Sequence, residues 1–499
     1  MKKIILTATL LSSVCAVFAV GKTGTLAGSK PNIILVMTDD QGPLLSCMGH
    51  PVLQTPHIDA FAEKALRLTD FHVSPTCAPT RAALLTGRHE FKNGVTHTIH
   101  ERELMDLSAV TFPQVLQSAG YETGIFGKWH LGDIEEYWPV NRGFNEALTH
   151  GAGGIGQVYP GSCADFPPNS SNDHSPRYFD NVLLHNKTAV QSKGYCTDVF
   201  FESALGWIKK QLDSKTPFFA YITPNAPHSP LIAPEENVER INKRHPGLAK
   251  EQLGRWGMIE NIDDNFGMMM QKLETWGALN NTLVIFMTDN GAQVRDGKVD
   301  VLWNNGYKTG KGSPAEGGTR VPCFWYWKRK LPEGEAFSGL TAHLDLYKTF
   351  CDLAGAAIPE NVQELDGRTL LPVLNNPNTE WADRMLFIHS GRWGGGEEPN
   401  RDGRSGVRTQ RWRQVAGKFL YDISNDPKET TDVSKKYPEV MEQLTMARHE
   451  WWEKTLPMMI NEDREFEGTE PPLFTLYNQQ KAEQGIPAWN PETYYEEGK

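Results

Sequence analysis

The apolar positions of this 499-residue chain fall into short, nearly unbroken runs that end in polar residues. Such runs are typical of strands that are buried on both faces of a parallel sheet. Four of them occupy residues 31–38, 121–126, 218–223 and 281–287. Helical patterns lie between them, and we predict helices over 56–68, 112–119, 258–273 and 342–355. This alternation of strands and helices predicts an α/β fold.

From about residue 370 the pattern changes to short strand-like pieces and Gly-rich turns. The pieces lie at 385–389, 406–408 and 419–422, and an amphipathic stretch follows at 438–452. We therefore divide the chain into a larger domain over 20–370 and a smaller C-terminal α+β subdomain with its tail over 371–499. The acidic tail beyond residue 455 is expected either to pack on the body or to remain mobile.

One stretch inside the larger domain lacks these patterns. Residues 151–195 are rich in Gly, Pro, Ser and Asn, and they predict a long surface excursion rather than core.

Composition narrows the classes of partner. Hydrophobic residues make up 39% of the chain and charged residues 22%, which is ordinary for a globular protein. The formal charge of -11 argues against nucleic acid as a partner, because phosphate binding usually needs a basic face. An anionic ligand could still bind, but only in a local pocket of Lys, Arg and His.

The first 19 residues have the layout of a secretory signal peptide. Lys2 and Lys3 precede an apolar run, and small residues follow it near Ala19. No later run predicts a membrane-spanning helix, so we expect no stable membrane insertion. The mature protein is expected to be exported and soluble, in the periplasm or secreted.

The chain has seven cysteines, and this count bears on disulfides. Without Cys15 in the signal segment and Cys77, discussed below, five remain, and an odd number argues against a full disulfide framework. One bridge between Cys163 and Cys196 would fit an oxidising compartment.

Polar residues follow two of the predicted strands in matching order. Asp39 and Asp40 follow the first strand, and Asp289 and Asn290 follow the strand over 281–287. Each pair alone would suit a turn or a helix cap. In open α/β sheets, however, sites gather at the carboxyl ends of strands. Carboxylate and amide oxygens are ligands for a hard cation, and calcium is the leading candidate.

A cysteine between two prolines begins the most informative stretch, residues 74–88. Pro79 suits the first turn of a helix, so Cys77 is predicted at or just before a helix N-terminus. The free N–H groups and the dipole there would favour an anion. Arg81, one turn further on, can reach the same place. An isolated cysteine would more often be a small buried hydrophobe.

Three further blocks carry candidate cations and histidines. Lys128 and His130 alternate, so they share one face if the segment is extended. His228 stands in a loop between two prolines. The Gly-rich stretch over 308–322 carries Lys308 and Lys311, but it lacks the spacing of a phosphate-binding loop.

Together these motifs resemble those of the type I sulfatases. The carrying residues are Cys77-x-Pro79-x-Arg81 with the following Thr-Gly, the Gly-Lys-Trp-His-Leu-Gly block at 127–132, and the Lys-Gly-x-x-x-Glu-Gly-Gly-x-Arg-Val-Pro block at 311–322. The resemblance covers residues 31 to about 452. It implies an alkaline phosphatase-like fold: a large mixed, mostly parallel sheet flanked by helices, with a smaller C-terminal antiparallel sheet plus helix.

The resemblance also implies a site. Cys77 would be converted to 3-oxoalanine (formylglycine) by a formylglycine-generating maturation enzyme. One calcium ion per chain would be bound by Asp39, Asp40, Asp289, Asn290 and the modified Cys77. The catalytic residues would be Cys77, Arg81, Lys128, His130, His228 and Lys311. Glu316 and Arg320 are expected to hold their loop together.

The expected reaction is hydrolysis of a sulfate ester on a sulfated carbohydrate, an algal polysaccharide or a glycosaminoglycan oligosaccharide. His228, with Lys311, would protonate the departing alcohol, and His130 would accept the second proton. The cations would neutralise the sulfate.

Three alternatives stay open at this point. The first is a phosphonate or phosphodiester hydrolase on the same fold. The second is an inactive, secreted glycan-binding protein, which predicts losses among the reactive residues. The third is a hydrolase that uses Cys77 as a thiolate with His130 and needs no metal.

Overall fold

The structure is a computed structural model that describes residues 25–99, 101–155, 175–293, 303–394, 397–462, 464, 472–492 and 494. The predicted signal segment at 1–19 and Cys163 lie outside the described residues. Within the described ranges, no helix combines the length and the apolar character needed to cross a bilayer.

The strands are β1 Asn32–Thr38, β2 Leu66–Leu68, β3 Phe71–His72, β4 Glu122–Lys128, β5 Glu146–His150, β6 Val182–His185, β7 Thr188–Gln191, β8 Phe218–Thr223, β9 Thr282–Thr288, β10 Cys323–Tyr326, β11 Ala336–Phe337, β12 Thr341–Ala342, β13 Leu386–His389, β14 Ser405–Arg408, β15 Trp412–Val415 and β16 Phe419–Asp422.

The helices are α1 Pro56–Lys64, α2 Cys77–Thr86, α3 Phe112–Ser118, α4 Cys196–Ser214, α5 Glu235–Arg244, α6 Lys250–Thr275, α7 Glu316–Thr319, α8 Asp345–Ala354, α9 Leu371–Asn375, α10 Pro438–Thr455 and α11 Pro472–Glu483. Short 3-10 turns occupy Ser46–Met48, Glu90–Asn93, Glu135–Tyr137, Pro139–Asn141, Ser175–Tyr178, Ala278–Asn281 and Leu456–Met458.

Ten strands form the main sheet, in the order β11-β2-β10-β9-β1-β8-β4-β5-β6-β7. The central strands β9, β1, β8, β4 and β5 are parallel, and β10, β6 and β7 run antiparallel to their neighbours. In β1 and β9, Thr38 pairs with Thr288. The residues that follow these two strands therefore leave the sheet at the same level.

Helices cover both faces of this sheet, which explains why β1 is apolar throughout. Ile33, Leu35 and Met37 pack on the face covered by α2, α3 and α8. Ile34 and Val36 pack on the opposite face, under α1, α4 and α6. The predicted α/β class and the large, mostly parallel sheet flanked by helices are confirmed.

The smaller sheet is antiparallel, in the order β13-β14-β15-β16. Leu444 of α10 packs on Val407 and Leu420 of this sheet. The predicted small antiparallel sheet plus helix is therefore confirmed, although β15 was not among the predicted pieces.

Three predicted elements were wrong in extent. The helix predicted over 258–273 is part of α6, which begins at Lys250. The helix predicted over 56–68 ends at Lys64, because Leu66 pairs with Trp325 in the main sheet. The surface excursion predicted over 151–195 contains β6 and β7, which extend the sheet beyond β5. Residues 156–174 of that stretch lie outside the described ranges.

The structure also bears on the predictions for Cys196 and for the C-terminal tail. Cys196 is a free, buried thiol that donates to Asn225 Oδ1 at 3.6 Å, and its considered partner Cys163 lies outside the described residues. Beyond α11 the tail packs on the body: the indole N–H of Trp489 donates to Ser203 Oγ at 3.0 Å, and Tyr494 is buried.

Candidate active site

The two predicted pairs of polar residues meet at the carboxyl edge of β1 and β9. The backbone N–H of Asp40 donates to Asp289 Oδ1 at 3.1 Å, and Asn290 Nδ2 donates to Asp40 Oδ1 at 2.9 Å. Asp39, Asp40, Asp289 and Asn290 have no exposed surface. Asp40 adopts φ +61°, a sparsely populated conformation that turns the chain sharply after the strand.

Helix α2 delivers Cys77 to this edge as its first residue, as predicted. The Cys77 sulfur and one oxygen each of Asp39 and Asp289 lie within 4.8 Å of one another. Arg81 is fully buried one turn along the helix. Its Nη1 donates to the Lys128 carbonyl at 2.8 Å, and its Nη2 donates to Asp289 Oδ2 at 2.9 Å.

Strand β4 ends in Lys128, whose Nζ donates to Asp39 Oδ2 at 2.6 Å. His130 adopts φ +64°, so the expectation of one extended segment with a shared face fails at this residue. His130 nevertheless turns back to the site. Its Nε2 lies 2.8 Å from the Thr98 carbonyl, and its buried Nδ1 has no hydrogen-bond partner among the described residues.

The glycine-rich segment and the proline-bounded loop contribute the remaining two groups. Lys311 Nζ donates to Asp40 Oδ2 at 2.7 Å, and His228 Nε2 lies 3.5 Å from the same oxygen. His228 Nδ1 is 2.7 Å from the Ser229 carbonyl. Lys308 points elsewhere, because its Nζ donates to the Tyr421 hydroxyl at 2.8 Å.

Burial and these close charges shift the pKa values of Asp40 and Asp289. Burial would raise the pKa of Asp40, but the charges of Lys311 and Lys128 outweigh it and hold that pKa below the ordinary range. Burial and the neighbouring Asp39 raise the pKa of Asp289 to about 7.

The histidines are affected in the opposite sense. Burial lowers the pKa of His228 to about 3; Asp40 opposes this shift and Lys311 adds to it. Burial, together with Lys128, lowers the pKa of His130 well below its ordinary value. In both residues, burial therefore favours the neutral form of the ring.

The cluster of Asp39, Asp40, Asp289 and Asn290 fits a divalent cation. Asp39 Oδ1 and Asn290 Oδ1 are buried and have no hydrogen-bond partner among the described residues. Such orphaned oxygens are costly unless a cation or water satisfies them. Hard oxygen donors from separate strand ends suit calcium. Lys128 and Lys311 meanwhile contact the other carboxylate oxygens of Asp39 and Asp40.

The structure thus brings the sequence-predicted site residues together, namely Asp39, Asp40, Cys77, Arg81, Lys128, His130, His228, Asp289, Asn290 and Lys311. Three other residues lie beside them that the sequence did not indicate: Thr98, His150 and Arg392. His150 is buried and pairs with Lys128 in the register of β4 and β5. Only its position at a strand end could have indicated it.

Comparison with known proteins is consistent with this geometry. The sulfatase family matches residues 31–356, and the family described as N-sulphoglucosamine sulphohydrolase, C-terminal, matches residues 314–454. Human N-acetylgalactosamine-6-sulfatase is 31% identical over 378 residues, which are 73% of this chain and 69% of the human protein.

Solved structures share the fold. The crystal structure of Ps i-CgsB in complex with k-i-k-neocarrahexaose has a TM-score of 0.73 and 30% identity, covering 91% of this chain and 98% of the other. The phosphonate monoester hydrolase of Agrobacterium radiobacter has a TM-score of 0.57 and 21% identity, covering 87% and 96%, which is a likeness of fold alone. From these matches, the chain belongs to the sulfatase family of sulfuric ester hydrolases and has its alkaline phosphatase-like fold.

Proposed function

We propose that this protein hydrolyses sulfate esters of a sulfated carbohydrate, using formylglycine made from Cys77 and one calcium ion. The observation that carries the proposal is the position of Cys77. It begins a buried helix and lies against Asp39 and Asp289, at the place where two strand ends converge. A side chain at this place can reach a cation held by the two carboxylates, which a packing role alone would not require.

Asp39, Asp40, Asp289 and Asn290 would hold the calcium ion, with the modified Cys77 as a further ligand. When bound, the ion supplies positive charge that stabilises the sulfate oxygens and makes a neighbouring hydroxyl more acidic. Its binding would also satisfy the orphaned oxygens of Asp39 and Asn290.

The modified Cys77 would supply a hydrated aldehyde, whose one hydroxyl attacks sulfur and whose other hydroxyl allows sulfate to be released. A serine at this position lacks the second hydroxyl, so its sulfate ester would persist. The oxidation would be carried out by a formylglycine-generating maturation enzyme.

The chain's own cations would bind and orient the ester. Arg81 is held by Asp289 and by the Lys128 carbonyl, so its guanidinium can orient residue 77 one turn before it. Lys128 and Lys311 each contact a carboxylate at the site. From these positions they can neutralise the sulfate and the negative charge that builds up as sulfur is attacked.

The two histidines would move protons. His228 would protonate the departing alcohol oxygen, and His130 would accept the proton of the second hydroxyl through its unpartnered Nδ1. Burial lowers the pKa of His228 and so favours its neutral form. A bound sulfate ester adds negative charge next to His228, which favours its protonated form.

The names of two relatives support a carbohydrate substrate: N-acetylgalactosamine-6-sulfatase, and Ps i-CgsB in complex with k-i-k-neocarrahexaose. We test the proposal by measuring sulfate release from a panel of defined sulfated oligosaccharides and an aryl sulfate. Phosphate release from the matching aryl phosphate tests the phosphonate or phosphodiester alternative. Faster phosphate than sulfate release would favour that alternative, and activity unaffected by a chelator would favour the metal-free thiolate alternative.

We also propose that the protein is exported to the periplasm or secreted, because Lys2, Lys3 and the apolar run after them form a signal-like start. N-terminal sequencing of the mature protein tests this. A mature chain that begins just after Ala19 supports export, and an intact Met1 contradicts it.

A further inference from the structure

A loop from the C-terminal part of the chain reaches the candidate active site. It lies between the segment that carries Lys311 and the segment that carries Thr96 and Thr98. This loop, residues 390–392, directly follows β13. Ser390 Oγ donates to the Gly312 carbonyl at 2.6 Å, next to Lys311. On its other side, the Arg392 backbone N–H donates to the Thr96 carbonyl at 3.1 Å. The 390–392 loop therefore spans the segments that position Lys311 and His130.

The side chain of Arg392 lies beside the catalytic histidine candidate. Its Nη2 donates to Thr98 Oγ1 at 2.8 Å, and the carbonyl of the same threonine lies 2.8 Å from His130 Nε2. The guanidinium and the imidazole thus share one anchoring residue.

The loop is held in a conformation that it would not adopt alone. Gly391 has φ +56°, and an added Cβ would lie 1.9 Å from the Thr96 carbonyl oxygen. Arg392 has φ +62°, which is rare for a residue with a long side chain. The next residue, Trp393, accepts a hydrogen bond from buried Arg102 Nη2 at 2.7 Å. Strain of this kind persists only where surrounding contacts fix it, and it concentrates at functional sites.

The cations of the site differ in how they are paired. Lys128 contacts Asp39, Arg81 contacts Asp289 and Lys311 contacts Asp40. Arg392 is half-buried, and among the described residues no carboxylate pairs with it. Its Nε is buried without a hydrogen-bond partner in that same part of the chain. A partly desolvated guanidinium is stabilised by an oxyanion, which its planar fork can bind through two hydrogen bonds.

We propose that Arg392 binds a second oxyanion of the substrate, a carboxylate or sulfate on the sugar next to the ester that is hydrolysed. This inference rests on the proposed sulfatase function and narrows its substrate to glycans with at least two anionic groups near each other. Arg392 then determines specificity, since the reacting sulfate already has Arg81, Lys128 and Lys311.

The test compares Arg392→Ala and Arg392→Lys with wild type on four substrates. They are an aryl sulfate, a monosulfated neutral disaccharide, a disulfated disaccharide and a monosulfated disaccharide with a uronic acid. Arg411→Ala is the control, because Arg411 pairs with Asp422 in the small sheet. We expect Arg392→Ala to lower kcat/KM at least about tenfold on a doubly anionic substrate, mainly through KM. We expect a clearly smaller loss on the aryl sulfate and the neutral disaccharide, where only the contact of Arg392 with Thr98 is removed. Arg392→Lys should retain part of the preference.

Comparison of the four substrates also identifies the oxyanion that Arg392 binds. A loss confined to the disulfated disaccharide identifies a sulfate, and a loss confined to the uronic acid substrate identifies a carboxylate. Equal losses on all four substrates would overturn the proposal, because Arg392 would then act by holding His130. Unchanged kinetics on all four would overturn it as well. A wild-type protein that releases no sulfate from any of them would refute the proposed function itself.

Discussion

Each of three cations at the carboxyl edge of the sheet contacts a different carboxylate. Lys128 contacts Asp39, Arg81 contacts Asp289 and Lys311 contacts Asp40. At the scale of single residues, every cation stabilises an acid, and in the proposed mechanism it also binds the substrate. Loss of one cation should therefore affect the reaction more strongly than loss of a cation a few residues away.

Lys311 and Lys308 form a matched pair, because they lie close together in the sequence and only Lys311 contacts the site. Lys311→Ala should lower kcat on an aryl sulfate about 100-fold or more, because a group that stabilises charge in the transition state is removed. Lys308→Ala should change kcat by less than about threefold, since Lys308 contacts Tyr421 and not the site. Steady-state kinetics of both variants check this. Similar losses in the two would contradict the assignment of Lys311.

Ionisation of the buried Glu90 should make the stability of the folded protein depend on pH. Burial raises its pKa to about 8, against an ordinary value of 4.5. A raised pKa in the folded state contributes stability that is complete below about pH 4.5 and is lost as pH rises through 8. Glu90→Gln removes this titration, and Gln can still accept the bond from Ser74. Relative to wild type, the variant should gain on the order of a few kcal/mol between pH 5 and pH 8.5. Urea unfolding at both pH values measures the free energy of unfolding of each protein. The same difference between variant and wild type at pH 5 and pH 8.5 would contradict the prediction.

At the scale of elements, close backbone approach decides where glycine is required. Gly127 precedes Lys128 in β4 with φ +121°, and an added Cβ would lie 2.1 Å from the Thr223 carbonyl oxygen in β8. The neighbouring strand cannot move without disturbing the sheet. Gly120 has φ +87° but no atom within 4 Å of an added Cβ.

Alanine at these two glycines separates strain from collision. Gly120→Ala should cost about 1–2 kcal/mol, the usual penalty of the left-handed region. Gly127→Ala should cost clearly more, and it should also lower kcat because Lys128 is displaced. Chemical denaturation and kinetics of both variants test this. Equal destabilisation would show that the contact with Thr223 relaxes freely.

The strands of the main sheet were predictable where both faces are buried. The apolar runs at 218–223 and 281–287 match β8 and β9 to within one residue. Strand β15 was missed because its buried residues include Arg413 and Gln414, which are polar and carry no hydrophobic signal. Strands β6 and β7 were missed because they are short strands at one end of the sheet, next to a Gly- and Pro-rich stretch.

The site was predictable as far as its residues stand in motifs. Strand ends indicated Asp39 and Asp289, and the proline-bounded cysteine indicated the start of α2. Thr98 and Arg392 carry no such signal, because only tertiary packing brings their segments, nearly 300 positions apart, to the same place. The choice between Lys308 and Lys311 likewise needed the contacts of both side chains.

At the scale of the whole molecule, a buried ionic network joins the small sheet to the segment that carries Lys311. Glu316 Oε1 accepts bonds from Arg408 Nε at 3.0 Å and from Arg413 Nη2 at 2.8 Å. Arg408 Nη2 also donates to Asp70 at 3.0 Å. All four residues are buried. The network therefore links the regions that we propose as domain 20–370 and subdomain 371–499.

This network predicts that both regions unfold together. Wild type should show one calorimetric transition. Arg413→Met should lower the temperature of that transition and destabilise the protein by about 3–5 kcal/mol, because the buried Glu316 carboxylate loses one of its cationic partners. Arg411→Met, in the exposed pair with Asp422, should change stability by less than about 1 kcal/mol. Two separate transitions in wild type would contradict the coupling.

The central claim is that Cys77 is converted to an aldehyde that lies against the metal site. Peptide mass spectrometry of the active enzyme, produced with its maturation enzyme, tests this most directly. We expect the Cys77 peptide to be lighter by the difference between a CH2SH and a CHO side chain, and activity to rise in proportion to this form. An intact Cys77 thiol in fully active enzyme would contradict it.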